Sequence, residues 1–346
     1  MLRFCDGFDS YGSSTDLIKK WSGGVDSSWT WGSTAGRFGG PGVSNAGAAA
    51  GKFIRSPLGL ASVANQSVVA IGFWLKISAN PAAATQLLQI LYSSAAVAYD
   101  MQVTTAGKLA TYNAGGGVCQ TSIAAVCDNA WHWVETTWYQ AGAGQVTTWM
   151  WIDNVTQGNG TSGGSTGAAD SFQLGSIAGV TVSIDDVVWY DSNGGAPVAA
   201  SGSGQLNSRQ IVTTRPANDF AIGFSTTSSG STHYNLLNEV NPDGDSSYVQ
   251  DGTVGDQDLF TMGTIGGSPS NFSAVMTNVY CENVTGGFIN IAGVCKSGIA
   301  AQNVTTAVVT PAAYNHVQFS FGVDPNTNAP WTQAGINAAV FGFRNA

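Results

Sequence analysis

Charge is what this chain has least of. Asp, Glu, Lys and Arg make up 10% of its 346 residues, against about 25% in an ordinary soluble domain. Cations are scarcest: no Lys or Arg stands between Lys108 and Arg209, nor between Arg215 and Lys296. Nucleic-acid recognition needs clustered cations to displace counterions from phosphates, so that class of function is excluded. Long apolar runs are missing too. No stretch approaches the ~20 residues of a membrane-spanning helix. The opening MLRFCDGFDSYG has one early Arg and no apolar h-region, so neither a secretory signal nor a membrane span is expected. The five cysteines form no Cys-x-x-Cys pair and no Cys/His spacing of the zinc type. Their odd number, without a signal, points to reduced thiols made in a cytosol, although Cys119/Cys127 and Cys281/Cys295 could each close a hairpin if oxidised.

Hydrophobic residues are nevertheless 43% of the chain and aromatics 10%, which is enough to fold. Gly is abundant at 45 residues. With so little charge, the surface has to be built from hydroxyls, amides and glycine, which suits a protein packed into an assembly or placed outside a cell.

The dominant pattern has period two. Residues 67–77 put Val69, Ile71, Phe73, Leu75 and Ile77 on one face, and residues 131–139 alternate Trp131, Trp133, Glu135 and Thr137 with His132, Val134, Thr136 and Trp138. Residues 146–153 and 182–191 behave alike, with Gly-rich turns between. Such alternation predicts half-buried antiparallel strands. One segment, 13–21, reads as a short helix that Ser14 or Thr15 can cap. The composition breaks at 192–208, a Gly/Ala/Ser-rich stretch without charge that reads as a linker. Ten of eleven tryptophans precede residue 190, which supports two separate cores. The expected fold is all-β: a lectin-like jelly roll over 1–191, the linker, and a second β-sandwich over 209–346 used for attachment or oligomer contacts. In the second part, Val317, Phe319, Phe321 and Val323 share a face.

Carboxylates are the first candidates for chemistry. Asp185 and Asp186 are adjacent within an apolar run. On a regular strand they point to opposite faces, so they cannot form the pair that a glycosidase needs at about 5 Å or about 6.5–9.5 Å. Only three Glu occur, Glu135, Glu239 and Glu282, and no strand carries carboxylates on alternate residues, so no catalytic residue is assigned and no enzyme is expected. Asp186 could still join a calcium site with Asp153 or a loop carbonyl. Asp243 and Asp245, in NPDGDSS, place oxygens at alternate positions as calcium loops do, but a turn explains them equally well. Ca2+ is the one cofactor the residues suggest. His132, His233 and His316 read as packing residues. Trp149 and Trp151 share a face that is either a sugar-stacking surface or the packed interior, with the interior favoured.

Taken together, FDSYGSSTDLIKKW, GRFGGPGV, VVAIGFWLKI, WHWVETTWY and IDDVVWYDSNG, in that order, resemble the laminin-G-like, concanavalin-type jelly rolls of tailed-bacteriophage virion proteins. The downstream LLNEVNPDGDSSYVQDGTVGDQDLF and DPNTNAPWTQAGINAAVFGF resemble the second half of the same proteins. The resemblance implies a non-enzymatic structural protein of the virion, made in the host cytoplasm and placed on the head, the tail or a fibre. It implies other virion proteins as partners, a symmetric homo-oligomer such as a trimer, and adhesion to host glycans as a use. A free carbohydrate-binding module is the alternative, and a glycoside hydrolase or lyase a more distant one.

Overall fold

The computed structural model describes residues 1–47, 49–60, 68–140, 145–163, 167, 169–192, 204–230, 232–267, 269, 271–284, 289–299 and 301–346. The chain is all-β, in two compact units, Met1–Ile211 and Val212–Ala346. Among the described residues no helix is long and apolar enough to cross a membrane.

The first unit is a sandwich of two antiparallel sheets. One runs in the order β13 (Val155–Gly163), β12 (Gln145–Ile152), β11 (Trp131–Gln140), β6 (Val68–Ile77), β15 (Val182–Asp191), β4 (Gly42–Asn45) and β3 (Trp29–Gly32), with β1 (Leu2–Asp6) also paired to β15. The other runs β10 (Val118–Ala125), β9 (Lys108–Asn113), β8 (Val97–Val103), β7 (Thr85–Tyr92), β14 (Ala169–Gly175), β5 (Phe53–Arg55) and β2 (Gly24–Val25). One hydrophobic core lies between them. From β6 it takes Val69, Ile71, Phe73, Leu75 and Ile77, the five residues that period two places on one face. From β11 and β12 it takes Val134, Trp138, Val146, Met150 and Ile152. Gly72 is needed on the opposite face of β6, because a Cβ there would enter the ring of Trp133.

The helix expected over 13–21 is a 3-10 turn, Ser14–Lys19. Neither Ser14 nor Thr15 caps it. Asp16 reaches back instead, accepting from Gly12 N at 3.2 Å and from Ser13 Oγ at 2.7 Å, while Ser14 Oγ accepts from Trp31 N. Asp6 is the hub beneath this turn, taking hydrogen bonds from Phe8 N, Tyr11 Oη, Trp21 Nε1 and Lys20 Nζ.

The segment assigned by composition to a linker departs from that reading. Residues 193–203 lie outside the described residues. Its described end, 204–208, belongs with 209–211 to the first unit: Leu206 is fully buried, and main-chain N–H groups of Leu206, Asn207 and Ile211 are held by carboxylates of the large sheet. A Gly/Ser-rich composition does not reveal a single anchored leucine.

The second unit has a sheet in the order β16 (Pro216–Ile222), β19 (Gln257–Met262), β25 (Val340–Asn345), β21 (Asn290–Ser297) and β22 (Ala301–Val304), with β23 (Val308–Val309) also on β21. Two ribbons accompany it, β17 (Thr226–Thr227) with β18 (Val249–Gln250), and β20 (Val275–Cys281) with β24 (Asn315–Phe321). Its helices are α1 (His233–Leu237) and α2 (Gln333–Ala338), the latter capped by the Thr332 side chain. The core is built on phenylalanine: Phe224, Phe260, Phe319, Phe321, Phe341 and Phe343 belong to one cluster with Trp331, whose ring meets that of Phe341. Of the face predicted on β24, Val317 packs at the margin of this core, whereas Val323 lies beyond the strand and is 41% exposed. All five cysteines are free thiols.

Candidate functional site

The functional candidates of the first unit gather on the face of the large sheet turned away from the core. On β11, Trp133, Glu135 and Thr137 alternate with core residues Val134 and Trp138, so they point outward. On β12, Trp149 and Trp151 do the same. Both indoles are on the far side from Val146, Met150 and Ile152, although Trp151 is itself only 5% exposed. Register sets Trp151 opposite Glu135 and Trp149 opposite Thr137. The two indoles stack with centroids 6.1 Å apart and planes 15° from parallel. Trp151 is buried and Trp149 half-buried.

The 204–211 segment crosses this face as a strap. Glu135 accepts from Leu206 N on one oxygen and from Asn207 N, at 3.2 Å, on the other. Trp133 Nε1 adds a longer contact at 3.4 Å. Trp74 Nε1 donates to Arg209 O at 2.8 Å, and Asn154 exchanges two hydrogen bonds with Ser208. Burial pushes the Glu135 carboxyl up to about 7, with these N–H donors acting in the opposite sense. Both oxygens of this carboxyl thus hold main chain of the strap.

Asp185 and Asp186 overturn the expectation of opposite faces. Asp185 pairs with Trp74 on β6, but Val188 pairs with Gly72, so β15 carries one extra residue at this point. Asp186 is that residue, in the left-handed region at φ 48°. This is a β-bulge. Core residues Ile184 and Val187 therefore stand three apart, and both carboxylates fall outside the core between them. Asp185 accepts from Arg37 N and from the N–H of Asp186, each at 2.8 Å. Asp186 Oδ1 accepts from Ile211 N at 2.9 Å, while its buried Oδ2 has no partner. Burial holds both carboxyls above the ordinary range, and the charge of Asp185 raises Asp186 further, with Asp9 adding to both. The local signal was present in the sequence: Asp is poor in strands yet tolerant of φ > 0. A doublet of it inside an apolar run marks a bulge.

Among the described residues, no group of three or more His, Cys, Asp or Glu side chains is arranged to hold a metal ion. Asp186 lies in the first unit, and Asp243 and Asp245 in the second. Asp243 Oδ1 accepts from Ser247 N and Oγ, while Asp245 Oδ1 accepts from Tyr314 Oη. These two carboxylates serve different partners. The carboxylate of Asp153 is likewise spent, on His132 and on Trp133 N.

His132 is more than a packing residue. Its Nδ1 meets Asp153 at 2.7 Å and its Nε2 meets Asp128 at 3.0 Å. Burial alone would lower its pKa, but the two carboxylates outweigh this and hold it above the ordinary value. With both ring nitrogens engaged, none is left to take a proton from a nucleophile. In the second unit His233 Nδ1 meets the fully buried Asp258 at 2.6 Å, and Asp258 also accepts from Gly223 N and Phe224 N. His316 Nδ1 pairs with Asn278.

No protein-family model matches the chain, and no curated protein matches it. Solved structures share part of the architecture. The endo-β-1,4-glucuronan lyase of the fungus Trichoderma reesei is 12% identical over 55% of this chain and 95% of its own, with a TM-score of 0.41. The binding domain of botulinum neurotoxin serotype D is 11% identical over 43% of this chain and 38% of its own, with a TM-score of 0.32. The Trypanosoma rangeli sialidase is 12% identical over 43% of this chain and 25% of its own, also with a TM-score of 0.32. Overlaps of this depth leave the activity to be read from the chain's own residues.

Proposed function

We propose that the chain is a non-catalytic structural protein of a tailed-bacteriophage particle, displayed on its surface and used for adhesion to glycans. The observation that carries the non-catalytic part is how the buried carboxylates of the first unit are used. Asp6 ties the N-terminal turn together, Asp191 binds Arg3 and the terminal ammonium, Asp185 holds Arg37 N, and Glu135 holds the strap. Each of these four is an internal tie, and Asp186 ties Ile211 N through one oxygen while its other oxygen, like one of Asp100, stands without a partner. The virion assignment rests on the ordered motifs from FDSYGSSTDLIKKW to IDDVVWYDSNG and on a surface poor in charge. Other virion proteins are its partners, and a symmetric homo-oligomer is its form on the particle.

A second reading, a free carbohydrate-binding module, is favoured by the stacked Trp149–Trp151 pair. The two part company in one experiment, mass spectrometry of cross-linked, purified particles. The virion reading expects the chain in the particle, cross-linked to other virion proteins and to copies of itself. Its absence from particles would overturn that reading and leave the free module. Turnover of a polysaccharide that disappears in Glu135→Gln would overturn the non-catalytic part.

A further inference from the structure

We infer that the outer face of β11, β12 and β13 is a binding platform for a neutral saccharide, with Trp149 as its stacking residue. This rests on the adhesive reading and goes beyond it by naming the class of ligand and its place.

The platform follows from register. Thr147 stands opposite Tyr139 on β11 and Thr161 on β13, and Trp149 stands opposite Asn159. These residues share the parity of Trp149 and Trp151, which alternate with the core residues Val146, Met150 and Ile152, so they project to the same side. Tyr139, Thr147 and Trp149 are half-buried, whereas Asn159 and Thr161 are exposed. The Thr147 and Thr161 hydroxyls meet at 3.0 Å in solvent. Trp151 stands beside it on the same strand, stacked on Trp149 and buried. It fixes the plane of the Trp149 indole without being available itself. The result is a held aromatic plane bordered by hydroxyls and an amide. Sugar rings have the matching chemistry, with apolar C–H faces for the indole and hydroxyls for the rim.

Charge selects among sugars. Across 145–163 the sole charged residue is Asp153, at the hairpin between β12 and β13, and its carboxylate is engaged by His132. No Lys or Arg occurs between Lys108 and Arg209. A uronate or sialate would find no Lys or Arg on these three strands, and His132 of β11 is already held between Asp128 and Asp153, so the ligand's carboxylate would be desolvated without compensation. A neutral ring incurs no such cost.

The test uses the full-length chain, titrated by saturation-transfer NMR with neutral gluco-, galacto- and manno-oligosaccharides and, separately, with glucuronate and sialate oligosaccharides. Binding is expected for a neutral set, about tenfold weaker in Trp149→Ala and also weakened in Asn159→Ala. The second variant changes an exposed rim residue, so it carries the test if Trp149→Ala fails to fold by near-ultraviolet circular dichroism. Three outcomes would overturn the inference: no neutral oligosaccharide binds, neutral binding is untouched by the variants that fold, or the acidic oligosaccharides bind better. None of them touches the virion reading, which stands or falls on the composition of particles.

Discussion

Strands β11 and β15 flank the same strand, β6, and use it differently. From Trp131 opposite Lys76 to Tyr139 opposite Val68, the pairing of β11 is unbroken. That of β15 halts after Asp185 and resumes at Val188. On the β11 side Val134 and Trp138 enter the core and Glu135 points outward, where the strap covers it. On the β15 side one added residue lets two consecutive acids escape the core while Ile184, Val187 and Trp189 all stay within it. A bulge thus absorbs what a regular strand cannot. The comparison also separates two ways of burying a carboxylate. Glu135 has a donor on each oxygen, while Asp186 has one donor and one bare oxygen.

Single-residue deletions give the largest predicted contrast. Removing Thr136 from β11 shifts everything after it to the wrong face and turns Trp138, 1% exposed, out of the core. Loss of folding is expected. Removing either Asp of the doublet gives the same shortened sequence, in which Ile184 and Val187 become alternate residues of an ordinary strand. That protein should fold, at a cost of about 1–3 kcal/mol for the main-chain donors left without acceptors. Urea unfolding followed by tryptophan fluorescence measures both. If the doublet deletion is as destructive as the Thr136 deletion, the bulge is not what lets the two acids leave the core.

What the sequence makes legible follows from this contrast. Alternation identifies the core face of β6 residue by residue, because a half-buried strand has one simple rule. The same rule, applied to β15, puts Asp185 and Asp186 on opposite faces, since period two has no means of counting an inserted residue. The strap is unreadable for another reason. Its docking depends on Leu206 and on main-chain N–H groups, and main-chain donors leave no mark in a sequence. Glu135 was the available hint, an acid on a tryptophan-rich strand with no cation on its own strand to pair with. The clamp on His132 was hidden because Asp128 and Asp153 flank the strand from two different turns.

The buried acids also set a pH response that sharpens the comparison. Glu135, Asp185 and Asp186 all sit above their ordinary values through burial. A carboxyl raised on folding contributes stability that is whole below about pH 4 and is lost as pH rises through the folded value. The raised His132 acts in the same direction, being favourable while protonated. The lowered carboxyls of Asp16, Asp26 and Asp128 respond only below their ordinary value, near pH 4. The melting temperature of the first unit should therefore fall from pH 5 to pH 8.5. Asp186→Asn should flatten that fall, because an amide has no charge to desolvate and asparagine tolerates φ > 0. Melting curves that rise toward pH 8.5, or that fall equally steeply in the variant, would count against this.

The smallest effect belongs to the edge, where neither strand's rule is under strain. Thr147 and Thr161 share a solvent-exposed hydroxyl contact between β12 and the terminal strand β13. Thr161→Val keeps the shape and the β-branching and removes one hydroxyl, so the loss should be about 0.2–1 kcal/mol. The variant then serves as a reference for the strands nearer the centre. A cost equal to that of the doublet deletion would mean that β13 is held by more than its ladder and that the exposed rim is part of the fold. A cost within that small range leaves the rim hydroxyls available to solvent and ligand, as the proposed platform on this face requires.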